Sequence, residues 1–286
     1  MREAGEKAQE EGGYFMRFAL NRPVKIVMLG AGGTGGHIAP HLYRLLHALD
    51  RPVKVIIVDG DIVEGKNLVR QNFIAADLGR NKAQVLAERY ASAFGMEAQY
   101  IPEFVESEET LSELVKPECL PVWMDSGKYP QELPILIGAV DNNRSRQLCH
   151  QVFQKSEELV YIDSGNGEYT GQVVCGIRRG GKTSYKPVGE IYPDVLDKTD
   201  KFPTELSCAE AAVSAPQSIT ANIMAAAAVV AYIYNILVLG SIEVKNVTFS
   251  TRTVNLKPVL SGKRKEPENQ KERRHKRCQY NHRKRT

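Results

Sequence analysis

Cysteine is scarce in this sequence, and its cysteines are not arranged in pairs. The 286 residues contain five of them: Cys119, Cys149, Cys175, Cys208 and Cys278. This scattered distribution excludes a disulfide framework of the kind found in small secreted domains. The first residues also lack the apolar segment of a secretory signal peptide. We therefore expect a reducing, cytoplasmic setting.

Net charge is also low, but the charges are unevenly distributed. The whole chain carries +4, whereas residues 261–286 contain 11 Lys or Arg and 3 Glu, a charge of +8 that leaves −4 on the rest. A segment with so few apolar residues cannot join a core. We predict a disordered basic tail at 259–286, which could contact nucleic acid weakly through phosphates, and a mobile lead-in at 1–19.

Charge is lacking altogether in residues 211–239, a run of 29 residues. By length alone such a run could cross a membrane. Asn222, Asn235 and two tyrosines weaken that interpretation, and a segment of β-type composition, Val244–Val254, follows directly. We predict a buried helix of a soluble protein here.

A strand, a glycine turn and a helix are predicted near the amino end of the chain. Val24–Leu29 is a β-branched run, and an amphipathic pattern at helical spacing begins at Ile38. The turn between them contains Gly30, Gly32, Gly33 and Gly35. Free N–H groups at such a helix start favour an anion. A second strand, Val53–Val58, ends in Asp59, where a carboxylate usually accepts ribose hydroxyls, so the pattern indicates a nucleotide without specifying which one.

The residues after Asp59 are more specific than the glycine turn. They are polar side chains suited to a triphosphate: Asp61, Asn67, Arg70, Gln71 and Lys82. The order of strand, GAGGTG turn, helix, D-x-D and N-x-x-RQ resembles the adenylating domain of the ThiF/MoeB/ubiquitin-activating-enzyme family. It is most similar to the ThiF-like proteins of the plasmid-associated PRTRC system. The resemblance covers roughly residues 20–255 and implies one ATP-binding domain at 20–258.

The predicted fold is α/β, a doubly wound and mostly parallel Rossmann-like sheet with helices on both faces. Further helices are expected at Ala83–Phe94, Glu108–Val115 and Arg144–Gln154, and further strands at Gln99–Val105 and Pro134–Val140. Residues 178–207 show almost no periodicity. They are predicted to lack regular structure, as a functional or a disordered segment would, and the family resemblance implies that they form a crossover loop above the site.

The resemblance implies a role for each polar residue near the glycine turn. Arg70, Gln71 and Lys82 would bind the phosphates. Asp59 would bind the ribose hydroxyls, with Asp61 also in the nucleotide site. Asn67 would lie near the leaving pyrophosphate. The four glycines, Gly30, Gly32, Gly33 and Gly35, would allow the backbone to approach the nucleotide.

Two further residues carry alternative interpretations. Asp141 follows the predicted strand Pro134–Val140; it would hold Mg²⁺ beside the α-phosphate by resemblance, or cap the next helix. Cys208 stands in a turn before the long uncharged helix. It would be either a nucleophile that accepts an acyl group or a structural cysteine.

The implied function is ATP-dependent adenylation of the C-terminal carboxylate of a small ubiquitin-like or sulfur-carrier-like β-grasp protein, by a homodimer. The family's structural zinc is carried by two C-x-x-C pairs, which this chain does not have, so no such zinc is expected. An arginine acting on the partner subunit's site would be Arg17 or Arg22, although the usual motif is missing. The alternatives are a NAD-dependent oxidoreductase and a non-catalytic scaffold with a nucleic-acid-binding tail.

Overall fold

The computed structural model describes residues 16–119, 130–197, 200–205 and 217–260. Its strands are β1 (Met16–Arg17), β2 (Val24–Leu29), β3 (Val53–Val58), β4 (Gln99–Ile101), β5 (Leu133–Gly138), β6 (Leu159–Asn166), β7 (Thr170–Arg179), β8 (Lys182–Tyr185), β9 (Ser241–Ile242), β10 (Val244–Ser250) and β11 (Asn255–Leu260). In the described part of the chain, β1 and β9 form a two-stranded ribbon, and the remaining strands form one nine-stranded sheet.

Five strands form the parallel half of the sheet, in the order β4-β3-β2-β5-β6. Every residue of β2 and β5 is buried, as expected for parallel strands covered on both faces. The chain moves outward from β2 to β4 and then returns to place β5 on the other side of β2. The carboxyl ends of β2 and β5 therefore form the switch point at which open α/β sheets bind ligands.

The other half of the sheet is antiparallel. β7 pairs with β6, β8 and β10, and β10 pairs with β11. Gly180 and Gly181 connect β7 to β8 with φ values of +58° and +65°, and two positive φ values in a two-residue connection are typical of a type I′ hairpin. The parallel order thus holds for the strands that carry the predicted nucleotide site.

Six helices cover the sheet: α1 (Gly33–His47), α2 (Lys82–Phe94), α3 (Glu108–Val115), α4 (Asn143–Lys155), α5 (Val188–Ile191) and α6 (Ile219–Leu237) in the described ranges. Buried residues of α1, α2 and α6 share one core cluster with one face of the sheet. Those of α3, α4 and α5 share a second cluster with the other face. This three-layer arrangement confirms the predicted α/β fold.

α6 is the one helix of the described part that is long and apolar enough to cross a membrane by length and composition. It packs against α1, β6 and β7, and half of its most apolar window is buried. These contacts place it against the sheet, as predicted for a buried helix. Residues 211–216 of the predicted helix lie outside the described residues.

The predicted bounds agree well where an element is long and amphipathic. α3 has its predicted bounds, whereas α2 begins one residue early and α4 is one residue longer at each end. β4 ends at Ile101 because Pro102 has no N–H to donate to a ladder. The expectation of no regular structure in 178–207 was wrong: its described part contains β8, α5 and two 3₁₀ turns, Pro193–Leu196 and Pro203–Glu205. These elements are too short to show a period.

Candidate functional site

The glycine turn between β2 and α1 is packed against the exit of β5. Gly30 has a φ of +94°, and a Cβ there would lie 2.4 Å from the carbonyl oxygen of Ala139. A Cβ on Gly35 would lie 2.0 Å from the carbonyl oxygen of Gly30. Neither position has room for a side chain. These two glycines are therefore required by packing within the protein, which brings the start of α1 to the carboxyl edge of the sheet.

Gly32 lies at the open start of α1. None of the described side chains caps this end of the helix, and a Cβ on Gly32 would meet only the amide nitrogen of Gln71, 3.7 Å away. Gln71 is buried, and its Oε1 has no hydrogen-bond partner among the described residues. Uncapped N–H groups and the helix dipole form a site that can bind an anion. Nε2 of Gln71 is a donor beside that site, whereas its unpaired Oε1 can only accept.

Asp59 lies at the carboxyl end of β3 and fixes the glycine turn. Its Oδ2 accepts a hydrogen bond from the N–H of Ala31 at 2.6 Å, and its Oδ1 accepts one from the N–H of Asp61 at 2.8 Å. Burial raises the pKa of Asp59 from 3.8 to about 6, although the charge of Lys82 opposes this shift. In its predicted role toward ribose, the carboxylate would use the lone pairs that the backbone bonds leave free.

Lys82 and Asp61 form an ion pair beside Asp59. The Nζ of Lys82 donates to Oδ2 of Asp61 at 2.7 Å. The lysine side chain is 7% exposed, whereas that of Asp61 is 54% exposed. Since Asp61 is its one side-chain partner in the described ranges, the ammonium group retains donors for a second anion.

Asn67 shapes the loop that carries Arg70 and Gln71. Asn67 is buried, and its Oδ1 accepts a hydrogen bond from the N–H of Glu64 at 2.8 Å. Its carbonyl oxygen accepts from the N–H of Gln71 at 2.9 Å. Asn67 is thus a structural residue of the loop in this conformation, and its predicted place near the leaving pyrophosphate stays a prediction.

Asp141 follows β5 and is exposed, without a hydrogen-bond partner among the residues that the structure describes. The cap of α4 is its neighbour, Asn142, whose Oδ1 accepts from the N–H of Ser145 at 2.8 Å. The alternative interpretation of Asp141 as the helix cap is therefore wrong. Its carboxylate stands at the switch point and is available to a ligand.

A buried ionic network lies near Asp141 and was not predicted from the sequence. Oδ2 of Asp163, in β6, accepts from the hydroxyl of Tyr161 at 2.8 Å, and its Oδ1 lies 3.3 Å from Nε of Arg146. Burial raises the pKa of Asp163, although Arg146 opposes the shift. Arg146, in α4, also donates to the carbonyl oxygen of Val140, so the network holds the residue before Asp141. An aspartate within a buried strand was the signal for it.

A second missed group links α6 to the glycine turn. Asn222 is fully buried in α6, and its Oδ1 accepts from Nδ2 of Asn166 at 2.8 Å. Oγ1 of Thr34, in the first turn of α1, donates to Oδ1 of Asn166 at 3.0 Å. An asparagine inside a helix without charges was the available signal, because a buried amide needs partners.

Other candidate residues are not brought to this site. Cys208 lies outside the described residues. Arg22 lies at the amino ends of the strands, where its guanidinium binds both carboxylate oxygens of Glu158 at 2.9 and 2.7 Å. Arg17 is in β1. A cavity of about 270 Å³, lined partly by Val24 and Lys54, also lies at the amino ends. The switch point is at the opposite edge, so this cavity does not belong to the site.

The fold is similar to that of several solved structures at low sequence identity. PaaA is 18% identical over 83% of this chain and 64% of its own, with a TM-score of 0.56. E. coli MccB solved with ATP is 17% identical over 85% and 65%, with a TM-score of 0.54. MccB with N-formylated MccA is 16% identical over 85% and 66%, also with a TM-score of 0.54. This chain therefore spans about two thirds of the length of these proteins, and the likeness establishes the fold alone. No curated protein matches the chain significantly.

The model of one protein family, the ThiF family, matches residues 19–279. The match covers most of the 286 residues. It confirms the family predicted from the glycine turn and the polar residues after β3, whereas assignment to the PRTRC group stays a prediction. The chain belongs to the ThiF family.

Proposed function

We propose that this protein uses ATP to adenylate the C-terminal carboxylate of a small protein or peptide. The observation that carries the proposal is the uncapped start of α1 with donors around it. The amide nitrogen of Gln71 faces Gly32, and the charge of Lys82 acts on Asp59, which binds the glycine turn. The backbone of Arg70 is hydrogen-bonded to Asn222, whose amide lies against Gly33. Two cations and an amide at a helix start suit a polyanion such as a triphosphate. A nicotinamide dinucleotide would use the glycine turn and Asp59 but has no need of both cations.

The chemistry explains why these groups are needed. A carboxylate is a poor electrophile, and its attack on the α-phosphorus of ATP converts it into a mixed anhydride. The bond from the α-phosphorus to the bridging oxygen breaks, and pyrophosphate leaves. Negative charge is redistributed over the phosphate oxygens in the transition state, so fixed cations and N–H donors stabilise that state.

Each residue has a distinct part in this proposal. The ammonium group of Lys82 and the guanidinium of Arg70 bind the β- and γ-phosphates and the developing pyrophosphate. The amide of Gln71 and the first N–H groups of α1 orient the phosphate chain. Asp59 accepts from the ribose hydroxyls, which places the α-phosphate at the carboxyl edge near Asp141.

The same reaction implies Mg²⁺, and Asp141 has the chemistry to hold it. Mg²⁺ usually binds to one or two carboxylates together with waters and substrate phosphates. Among the described residues, no group of three or more His, Cys, Asp or Glu could hold a metal by itself. Phosphate oxygens of ATP would therefore complete the coordination. When bound, the ion offsets negative charge on the α-phosphate.

The finer form of the proposal concerns the partner. We favour a ubiquitin-like β-grasp protein, because an exposed C-terminal tail can enter a narrow edge site. The described part of 178–207 borders that edge: Oδ2 of Asp200 accepts from the N–H of Asn143 at 3.1 Å, two residues from Asp141. The solved MccB complex with MccA is consistent with a small acceptor.

Further steps and states belong to the same proposal. The thiol of Cys208 first loses its proton to solvent, and the resulting thiolate attacks the acyl carbon of the anhydride, which forms a thioester and releases AMP. The enzyme works as a cytoplasmic homodimer. An uncharged face of α6, with Ile223 and Tyr234 exposed, suits a second copy. The basic tail contacts nucleic acid weakly.

Exchange of radiolabelled pyrophosphate into ATP tests the proposal. The full chain is incubated with ATP, Mg²⁺ and each small protein encoded beside its gene, added one at a time. Exchange should require one of these proteins with a free C-terminal carboxylate. Amidation of that carboxylate should abolish exchange, because it removes the attacking oxygen.

Two outcomes would contradict the proposal. Exchange that survives amidation would exclude the C-terminal carboxylate as the nucleophile. Binding of NADH without binding of ATP, measured by fluorescence titration, would instead support the oxidoreductase alternative.

A further inference from the structure

Both the side chain and the backbone of Arg70 are hydrogen-bonded to residues at the start of α6. Its side-chain Nη1 donates to Oε1 of Gln217 at 3.0 Å, and its carbonyl oxygen accepts from Nδ2 of Asn222 at 3.4 Å. Gln217 precedes Ser218, the cap of α6, and Asn222 lies in the first turn and a half. A long-range contact between residues about 150 positions apart thus fixes both the backbone and the guanidinium of Arg70.

The Asn222 end of this contact is rigid. Asn222 is 0% exposed, and its amide lies against the glycine turn, where a Cβ on Gly33 would be 2.3 Å from Nδ2. Its Oδ1 accepts from Asn166 at 2.8 Å and from Thr34 at the longer distance of 3.5 Å. α6 therefore fixes the position of the Arg70 backbone relative to the first turn of α1.

The partner of the guanidinium is electrically neutral. Within the described ranges, no carboxylate forms an ion pair with Arg70, whereas Lys82 is paired with Asp61 at 2.7 Å. An amide oxygen orients a guanidinium through one hydrogen bond but does not cancel its charge. The full positive charge of Arg70 is left for an incoming anion.

We infer that Gln217 is a positioning residue for Arg70: it orients the guanidinium for the triphosphate while leaving its charge uncompensated. The inference deepens the proposed function and rests on it, because it assumes that a triphosphate binds beside Arg70. A carboxylate at position 217 would keep a hydrogen-bond acceptor of the same size but would compete with the phosphates for the guanidinium. Glutamine and glutamate at this position should therefore differ sharply in nucleotide binding.

The test compares wild type with Gln217→Glu and Gln217→Met in the full-length protein. Each is titrated with a fluorescent ATP analogue, which is then displaced by ATP or by adenosine. Gln217→Glu should raise the Kd for ATP at least about tenfold and leave the Kd for adenosine within about twofold, because adenosine carries no phosphate. Gln217→Met should raise the Kd for ATP by about threefold, since it removes orientation without adding charge.

Gln131→Glu is the matched control, because it changes the net charge equally on an exposed residue at the amino edge. It should bind ATP as wild type does. If Gln217→Glu binds ATP with wild-type affinity, or loses ATP and adenosine alike, the inference is wrong while the proposed function stands. If wild type does not bind ATP at all, the proposed function fails, and the inference fails with it.

Discussion

The carboxylate of Asp59 accepts a hydrogen bond from the backbone N–H of Ala31 at 2.6 Å. The acceptor stands at the end of β3 and the donor in the glycine turn after β2, so the bond joins the two strand exits that flank the site. A second bond, from the N–H of Asp61 to Oδ1 at 2.8 Å, holds the carboxylate from the other side. Asp59 and the glycine turn, which we propose bind the ribose and the phosphates, are thereby fixed relative to each other.

Burial of Asp59 should make stability depend on pH. Its pKa is raised from 3.8 to about 6 in the folded protein. The folded state therefore binds the proton more tightly than the unfolded state between these values. The contribution of this group to the free energy of unfolding is greatest below about pH 4, declines as pH rises to about 6, and is lower by up to roughly 3 kcal/mol above that range.

Asp59→Asn isolates this contribution, because asparagine does not titrate. Urea unfolding of wild type and variant is measured from pH 4 to pH 7. The variant should gain stability relative to wild type as pH rises. A difference between the two proteins that stays constant over this range would show that Asp59 does not have a raised pKa.

Lys82→Met should abolish most of the ATP-dependent activity without unfolding the protein. Methionine fills the space of the buried lysine stem but removes the ammonium charge from the proposed phosphate site. Loss of a fixed cation at a developing charge costs about 10²-fold or more in rate. The measurement is pyrophosphate exchange, with Lys116→Met as a control in which a 65% exposed lysine side chain is removed elsewhere. Equal activity of the two variants would remove Lys82 from the site.

The ion pair of Arg146 and Asp163 should be important for stability. Breaking a buried pair by removing one partner costs about 3–5 kcal/mol. Arg146→Met and Asp163→Asn should each be strongly destabilising, and the double variant should be less so than the sum of the two. Urea unfolding of all four proteins gives the coupling energy, expected at about 1–3 kcal/mol for residues in contact. Simple additivity would mean that the two side chains do not interact.

Asp141→Ala should abolish activity with little effect on stability. The carboxylate is exposed and has no described partner, so stability should change by no more than about 0.5 kcal/mol. Pyrophosphate exchange should be lost, because the proposed Mg²⁺ ligand is gone. Exchange within tenfold of wild type at saturating Mg²⁺ would exclude Asp141 as that ligand.

The sequence predicted the elements whose pattern is local. Val24–Leu29 and Glu108–Val115 have their predicted bounds, since a β-branched run and an amphipathic helix are visible within a short window. Asp59 was identified from its place at the end of a strand, whereas Arg70 and Lys82 were identified from the family resemblance, and the roles of all three stay predictions. The hairpin at Gly180 and Gly181 was not predicted from the sequence. β8, which follows the turn, is short, and the residues before the turn are the end of the longer strand β7.

The supporting residues could not be predicted because their partners are distant in sequence. The interaction of Gln217 with Arg70 spans 147 positions, and that of Asn166 with Asn222 spans 56. Neither residue has a neighbour in sequence that indicates its partner. Asn142 rather than Asp141 caps α4. Both residue types favour the N-cap position, so the sequence alone could not show which of the two directly precedes the helix.

In the proposed function, a triphosphate binds at the carboxyl edge of the sheet, beside the start of α1. A crystal structure of the full chain with a non-hydrolysable ATP analogue would show where the phosphates lie. We expect the ribose hydroxyls on Asp59 and phosphate oxygens within about 3 Å of Lys82 and Arg70, the usual length of a charge-assisted hydrogen bond. A nucleotide bound at the amino edge, or one whose phosphates point away from both cations, would contradict the claim.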